Sequence, residues 1–213
     1  MAIIEYPTSE PVRSARARYF EANHFGADGG YGDAWVEVKF GPIPVPIPNT
    51  EARVRAVRYH DLHHIVTGYD TDLVGEMEIS AWELGAGCED FVAAYVLNVG
   101  GLSGGAAIAP LRTLRAFARG RQSRSLYRHT DVEALLDGDV AAIRALTHVP
   151  SEPVPVRPSD VARFLAIATL GLFTWGVVLV PGLLLGPLLA LYLSRAKARQ
   201  GAGSAGTSAQ LGG

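Results

Sequence analysis

The spacing of apolar and polar residues along the chain predicts a mainly α-helical fold. Residues 26–32 contain four glycines and are expected to form a loop, and the alternation in 34–40 predicts a short strand. Proline occupies every second position from 42 to 48, so residues 41–49 should be extended but neither helical nor part of a central strand. Helices are expected at residues 11–25, 50–67, 72–84, 89–98, 105–119 and 130–147.

The best-defined helix boundaries frame a helical hairpin. Thr50 is a good N-cap for the first helix, and Gly68 is a good residue to end it. The second helix is expected to begin near Asp72 and to end before Gly85. With only a short link between them, the two helices should pack side by side and antiparallel.

The C-terminal region predicts membrane association. Residues 164–194 form 31 consecutive positions without a charge, whereas a membrane-spanning helix needs about 20 apolar residues. One straight helix of this length would measure about 46 Å, well beyond a hydrocarbon core of about 30 Å. Pro181 would break it, which favours a membrane hairpin of segments 164–180 and 182–194 over a single tilted span.

These patterns divide the chain into four regions. Residues 1–150 form the helical domain, 151–163 a linker, 164–194 the membrane segment, and 195–213 a basic and then disordered tail. Arginine and lysine residues flank the membrane segment on both sides, which places both flanks in the cytoplasm if the segment is a hairpin. Because the N-terminus lacks the features of a signal peptide, the helical domain is expected on the cytoplasmic side of a bacterial inner membrane.

Composition excludes several classes of protein. The net charge of -2 provides no basic excess for nucleic-acid binding. A single cysteine, Cys88, rules out an intrachain disulfide and a cysteine-based zinc cluster. Gly100–Gly105 lacks the lysine of a phosphate-binding loop, so close helix packing or a turn is the preferred interpretation.

A cluster of histidines in the first hairpin helix predicts a metal site. At about 100° per residue, His64 lies about 40° from His60 around the helix axis, and Asp61 lies about 100° from it. His63 points about 60° to the other side, so it is a neighbour that fits the cluster less well. Two imidazoles and one carboxylate therefore share a face, although histidine pairs at this spacing also occur without a metal.

The second hairpin helix supplies a matching acid. Glu76 lies as far after the turn as His64 lies before it, so the two side chains should face each other across a gap of about 8–10 Å. The predicted ligands are His60, Asp61, His64 and Glu76. Imidazole and carboxylate ligands without thiolate suit a divalent ion, with zinc preferred and iron or manganese as alternatives.

The segment from His60 to Glu76 has the form HDxxH-x11-E, which resembles the fourth coenzyme Q biosynthesis protein family. Gly68, Thr71 and Gly75 fall at positions similar to that family's conserved pattern, as does the upstream Asn23–His24 pair. The resemblance covers residues 11–147 and is specific between residues 50 and 85. The membrane segment and the proline-rich stretch depart from the family.

The resemblance implies an all-helical, lipid-facing protein that holds zinc through His60, Asp61, His64 and Glu76. Its expected activity is oxidative decarboxylation of a polyprenylated hydroxybenzoate in ubiquinone biosynthesis, with membrane lipids and other ubiquinone biosynthesis proteins as partners. A non-enzymatic lipid- or quinone-binding scaffold is an alternative, and a His-Asp metal phosphohydrolase is another. For Arg112, Arg115 and Arg119, which share one helix face, the choice is between a solvated face and contact with anionic lipid headgroups.

Overall fold

The protein was described from a computed structural model that covers residues 5–40, 43–151, 153–179 and 185. The chain forms two compact units, Met1–Leu170 and Gly171–Gly213. The described residues are mainly helical, as predicted. In chain order the elements are α1 (Val12–Asn23), β1 (Trp35–Phe40), β2 (Ile43–Pro48), α2 (Glu51–Thr67), α3 (Leu73–Ala86), α4 (Val92–Ile108), α5 (Pro110–Gly120), α6 (Val132–Leu136), α7 (Val140–Thr147) and α8 (Pro158–Thr174).

The proline-rich stretch is extended, as predicted, and pairs with β1 in a two-stranded antiparallel sheet. Its prolines at 44, 46 and 48 lie opposite Lys39, Glu37 and Trp35. Alternate residues of an antiparallel strand point their N–H groups away from the partner. Asn49, one residue beyond Pro48, donates its N–H to Ala34 O at 3.0 Å. Because the N–H of Asn49 points towards β1, the backbone N positions of residues 48, 46 and 44 point away from it. Proline at these positions therefore removes no hydrogen bond between the strands.

The bounds of α2 and the start of α3 agree with their predictions, whereas α3 continues through Gly85 to Ala86 and so the predicted end before Gly85 was wrong. Thr50 caps α2 by accepting a hydrogen bond from the Arg53 N–H, and Gly68 ends it in the left-handed conformation with φ of 75°. Asp72 caps α3 by accepting from the Gly75 N–H at 2.7 Å. A Cβ on Gly75 would lie 2.1 Å from Asp70 O, so the turn that leads into Glu76 requires glycine here.

Helix α4 differs from its prediction, because Gly100–Gly105 does not interrupt it. A Cβ on Gly101 would lie 2.2 Å from Ser80 Oγ, and one on Gly105 would lie 2.5 Å from Thr113 Oγ1. These glycines let α4 approach α3 and α5 closely, which confirms the packing interpretation. The prediction of a break after residue 98 was wrong, since tertiary packing outweighs the low helix propensity of glycine.

The predicted helix over 130–147 is instead two short helices, α6 and α7. Asp131 caps the first and Asp139 caps the second, each by accepting backbone N–H bonds from the following turn. The N–H of Val12 donates to Gly138 O at 3.0 Å, so the break also anchors the start of α1. A continuous helix was the wrong prediction because the two aspartates favour helix starts.

Helix α8 begins at Pro158, inside the predicted linker 151–163, and the first compact unit extends to Leu170. Phe164 is buried, with its ring centroid 6.1 Å from that of Phe117. The helical segment Pro158–Val177, which comprises α8 and the start of the π-helical turn Trp175–Leu179, is long and apolar enough to span a membrane. The remainder of the predicted membrane hairpin and the tail fall in residues 180–184 and 186–213, outside the described residues.

Candidate metal centre

Three side chains of the α2–α3 hairpin converge on one point. His60 Nε2 and His64 Nε2 are 3.2 Å apart. Glu76 places one carboxylate oxygen 3.4 Å from His60 Nε2 and the other 3.4 Å from His64 Nε2. These three residues form a group that can hold a metal ion.

The spacing of the three residues suits a small tetrahedral ion. Zinc bonds of about 2.0–2.1 Å at tetrahedral angles separate neighbouring ligand atoms by about 3.3 Å. Each of the three contacts, at 3.2–3.4 Å, is close to that separation, and the two contacts of Glu76 are made by different oxygens of its carboxylate.

Hydrogen bonds on the far side of each imidazole orient both Nε2 atoms towards this point. His64 Nδ1 lies 2.9 Å from Tyr69 O, which only accepts, so Nδ1 carries the hydrogen. His60 Nδ1 lies 2.8 Å from Glu83 Oε1 and donates to that carboxylate. Both Nε2 lone pairs are then directed at the same place, an arrangement that a cation stabilises.

Glu83 is a buried carboxylate that the sequence interpretation missed. Its side chain is 0% exposed. One carboxylate oxygen accepts hydrogen bonds from His60 at 2.8 Å and from His63 at 2.7 Å. The other oxygen accepts from the Asn98 amide and, at 2.8 Å, from the Tyr127 hydroxyl. The sequence contained a signal for it, because Glu76 and Glu83 are seven residues apart and so lie about 20° apart on one face of α3.

His63 lies beside the centre but is not part of the ligand group. Its Nε2 accepts a hydrogen bond from the Leu126 backbone N–H at 2.8 Å, and its Nδ1 donates to Glu83. Burial lowers the pKa of His63 although Glu83 opposes this effect. It is therefore a neutral side chain that links α2 to the turn at Leu126, which agrees with its poorer predicted fit.

The electrostatic field at the converging atoms favours positive charge. Burial opposes protonation of His60, but Glu83 and Glu76 outweigh it and raise the pKa of His60 well above its usual value. Burial would raise the pKa of Glu76, but His64 and His60 hold it well below the usual range. The pKa of Glu83 is likewise held well below its usual range by His60 and His63, against the effect of burial. Both glutamates are thus anionic.

Asp61, the fourth predicted ligand, lies outside the group of three. It is buried, and its Oδ2 accepts a hydrogen bond from the Tyr31 hydroxyl at 2.6 Å. Burial raises the pKa of this carboxyl, although His60 and the Tyr31 hydrogen bond oppose the rise. Direct coordination by Asp61 therefore stays a prediction, and its observed contact connects the centre to the glycine-rich loop.

The centre has one closed side and one open side. The Tyr19 ring stacks on His64 with centroids 5.5 Å apart. Asn23 links α1 to the turn before α3, since its amide donates to Tyr19 O and its carbonyl accepts from the Thr71 hydroxyl. The Glu76 side chain remains 44% exposed. A further ligand therefore has access along the Glu76 side.

Two of the three arginines on α5 have structural partners. Arg112 forms two hydrogen bonds to the Glu78 carboxylate. Arg119 donates to Thr67 O and Pro150 O and lies over the Tyr69 ring, which holds the end of α2 in place. Of the three, only Arg115 is exposed with no such partner among the described residues, and the choice between a solvated face and headgroup contact stays a prediction.

Comparison of the chain with protein-family models, with curated proteins and with solved structures finds no match.

Proposed function

We propose that this chain is a zinc-dependent enzyme of ubiquinone biosynthesis that acts at a membrane. The observation that carries the proposal is the convergence of His60 Nε2, His64 Nε2 and the two carboxylate oxygens of Glu76, with contacts of 3.2–3.4 Å. This geometry agrees with the HDxxH-x11-E resemblance, which depends on the sequence spacing of the same residues. Iron and manganese are also compatible with two imidazoles and a carboxylate.

The proposed reaction is oxidative decarboxylation of a polyprenylated hydroxybenzoate. The ring C1–carboxylate bond breaks, the carboxylate leaves as CO2, and a hydroxyl from water takes its place. The two electrons released reduce a two-electron oxidant such as dioxygen, which becomes hydrogen peroxide. A divalent ion held by His60, His64 and Glu76, with Asp61 as the predicted fourth ligand, would supply Lewis-acid stabilisation of anionic oxygens. The exposed side of Glu76 is the entry for the substrate, and the buried His64 imidazole and Tyr19 keep water from the opposite side.

Membrane attachment is part of the same proposal. Segment Pro158–Val177 has the length and apolar composition of a spanning helix. A polyprenylated substrate resides in the bilayer, so an anchor raises the effective concentration of the enzyme near it. The helical domain is proposed to lie on the cytoplasmic side, as the flanking basic residues indicate.

A non-enzymatic scaffold is the second candidate. Helix α4 exposes the apolar residues Val92, Tyr95 and Val96, of which Val92 is 72% exposed. Contiguous exposed apolar residues are typical of surfaces that bind lipids or partner proteins. In this case the metal would hold α2 and α3 together and have no catalytic role.

Deletion of the gene in its quinone-producing host tests the enzyme proposal. We expect the deletion strain to accumulate a prenylated hydroxybenzoate, which lipid extraction and mass spectrometry will detect. A tagged wild-type copy should restore quinone and sediment with membranes, whereas a His64→Ala copy expressed at the same level should restore less than about 1% of the flux.

The outcomes separate the candidates. Full rescue by the His64→Ala copy would support the scaffold and contradict the enzyme proposal. A deletion strain with normal quinone and no stalled precursor would contradict both. A His129→Ala copy is the matched control, because His129 lies outside the metal group and should rescue fully.

A further inference from the structure

We propose that Glu83 is the positioning residue of the metal centre: its carboxylate directs His60 Nε2 at the ion and supplies part of the negative charge that balances it. The inference rests on the metal-binding part of the proposed function. It concerns a residue outside the HDxxH-x11-E pattern, and it assigns a role to the hydrogen bond between Glu83 and His60.

The surroundings of Glu83 lack a fixed positive charge. Its ion-pair partners in the described part of the chain are the two histidines, His60 and His63, and no lysine or arginine is among them. An ionised carboxylate buried without a cation is strongly unfavourable. When His60 coordinates an ion it is a neutral imidazole, so the divalent ion on the opposite side of the ring then supplies the positive charge that Glu83 faces through the imidazole.

The charges around the site then balance. His60 and His64 coordinate as neutral imidazoles, so within the group of three Glu76 contributes the one negative charge, while Asp61 lies outside that group and accepts a hydrogen bond from the Tyr31 hydroxyl. Glu83 contributes the second, which matches the two positive charges of a divalent ion. A ligating histidine that donates its other N–H to a carboxylate is the usual way in which proteins orient the ring and raise the basicity of the ligating nitrogen.

The two carboxylate oxygens of Glu83 accept hydrogen bonds from different parts of the structure. Oε1 accepts from His60 and His63 and so faces α2 and the metal centre. Oε2 accepts from Asn98 and Tyr127 and so faces the core. The core-facing bonds hold the carboxylate rigid, and the His60 bond transmits that rigidity to the ligand.

Zinc affinity of the full-length, detergent-solubilised protein tests this role through Glu83→Gln. The amide keeps the size of the side chain and an oxygen that can accept from His60, but it removes the charge. We expect the zinc dissociation constant, measured by competition with a chromophoric chelator, to increase about 10–100-fold. The visible absorption of the cobalt-substituted protein should change as well, because the basicity of a ligand has changed.

Glu78→Gln is the matched control. It makes the same substitution on the same helix, at a buried carboxylate that pairs with Arg112 instead of with a histidine. We expect its zinc affinity to stay within about threefold of wild type, because Glu78 is not hydrogen-bonded to a proposed metal ligand and so does not orient one. Unchanged affinity in Glu83→Gln, or an equal loss in both variants, would overturn the role of Glu83.

A measurement on the unaltered protein covers the case in which Glu83→Gln does not fold. Long-range proton–nitrogen correlation spectra of histidine-labelled, zinc-loaded protein should show His60 with its hydrogen on Nδ1. A hydrogen on Nε2 would overturn the proposal. A wild-type protein that binds no zinc would overturn the metal centre itself and the role of Glu83 with it, whereas normal zinc binding with the wrong tautomer would overturn only the role of Glu83.

Discussion

Replacing His64 with alanine is expected to weaken zinc binding by roughly 100-fold or more. Structural zinc sites with four ligands bind with about 10–16 kcal/mol, so one ligand contributes on the order of 3 kcal/mol, and each 1.4 kcal/mol is a factor of ten. His64 is almost fully buried and its ring is oriented by Tyr69 O, so no solvent-exposed group can take its place without rearrangement. Chelator competition on the full-length protein measures the change.

His129→Ala is the control for this variant. His129 has its backbone fixed by the turn at Leu126, and its side chain lies outside the metal group. Its zinc affinity should match that of wild type, and the circular dichroism of both variants should retain the helical signal. A His64→Ala protein that binds zinc as tightly as His129→Ala would contradict the assignment of His64 as a ligand.

Replacing Trp82 with alanine is expected to lower the free energy of unfolding by about 3–5 kcal/mol. The side chain is fully buried in α3, its Nε1 donates to Ser123 Oγ, and its ring lies 5.1 Å from that of His63. Loss of the ring leaves a cavity beside the histidine that holds Glu83, so stability and metal affinity should both decrease. Denaturant titration in detergent, followed by circular dichroism, measures the stability term.

Trp35→Ala is the control, because it makes the same substitution at an exposed position. Trp35 is 63% exposed on β1, so little apolar area is lost and the change should stay within about 0.5 kcal/mol. Equal destabilisation by the two substitutions would mean that Trp82 is not in the core, and the packing of α3 described above would then be wrong.

Local sequence signals were sufficient for both ends of α2 and for the start of α3. Thr50, Gly68 and Asp72 act through hydrogen bonds and backbone conformations within a few residues, so their roles are legible in the sequence. The level of Glu76 opposite His64 followed from the symmetry of a short hairpin. The same reasoning did not extend to Asp61, because its partner Tyr31 comes from a loop whose path depends on tertiary packing.

Contacts between distant segments account for the features that were missed. Glu83 shares a face with Glu76, but its partners Asn98 and Tyr127 come from α4 and from the turn after α5. Without them, a buried glutamate appears unfavourable from sequence alone. Gly101 and Gly105 were interpreted as a possible break for a similar reason. They allow α4 to approach other helices closely, and such contacts cannot be inferred from the local sequence.

The metal centre is tested most directly by anomalous diffraction from crystals of the full-length protein grown with zinc. The account predicts one anomalous peak per chain, about 2.0–2.2 Å from His60 Nε2, His64 Nε2 and a Glu76 oxygen. A zinc-supplemented crystal with these side chains ordered and no peak between them, or with the peak elsewhere, would contradict it.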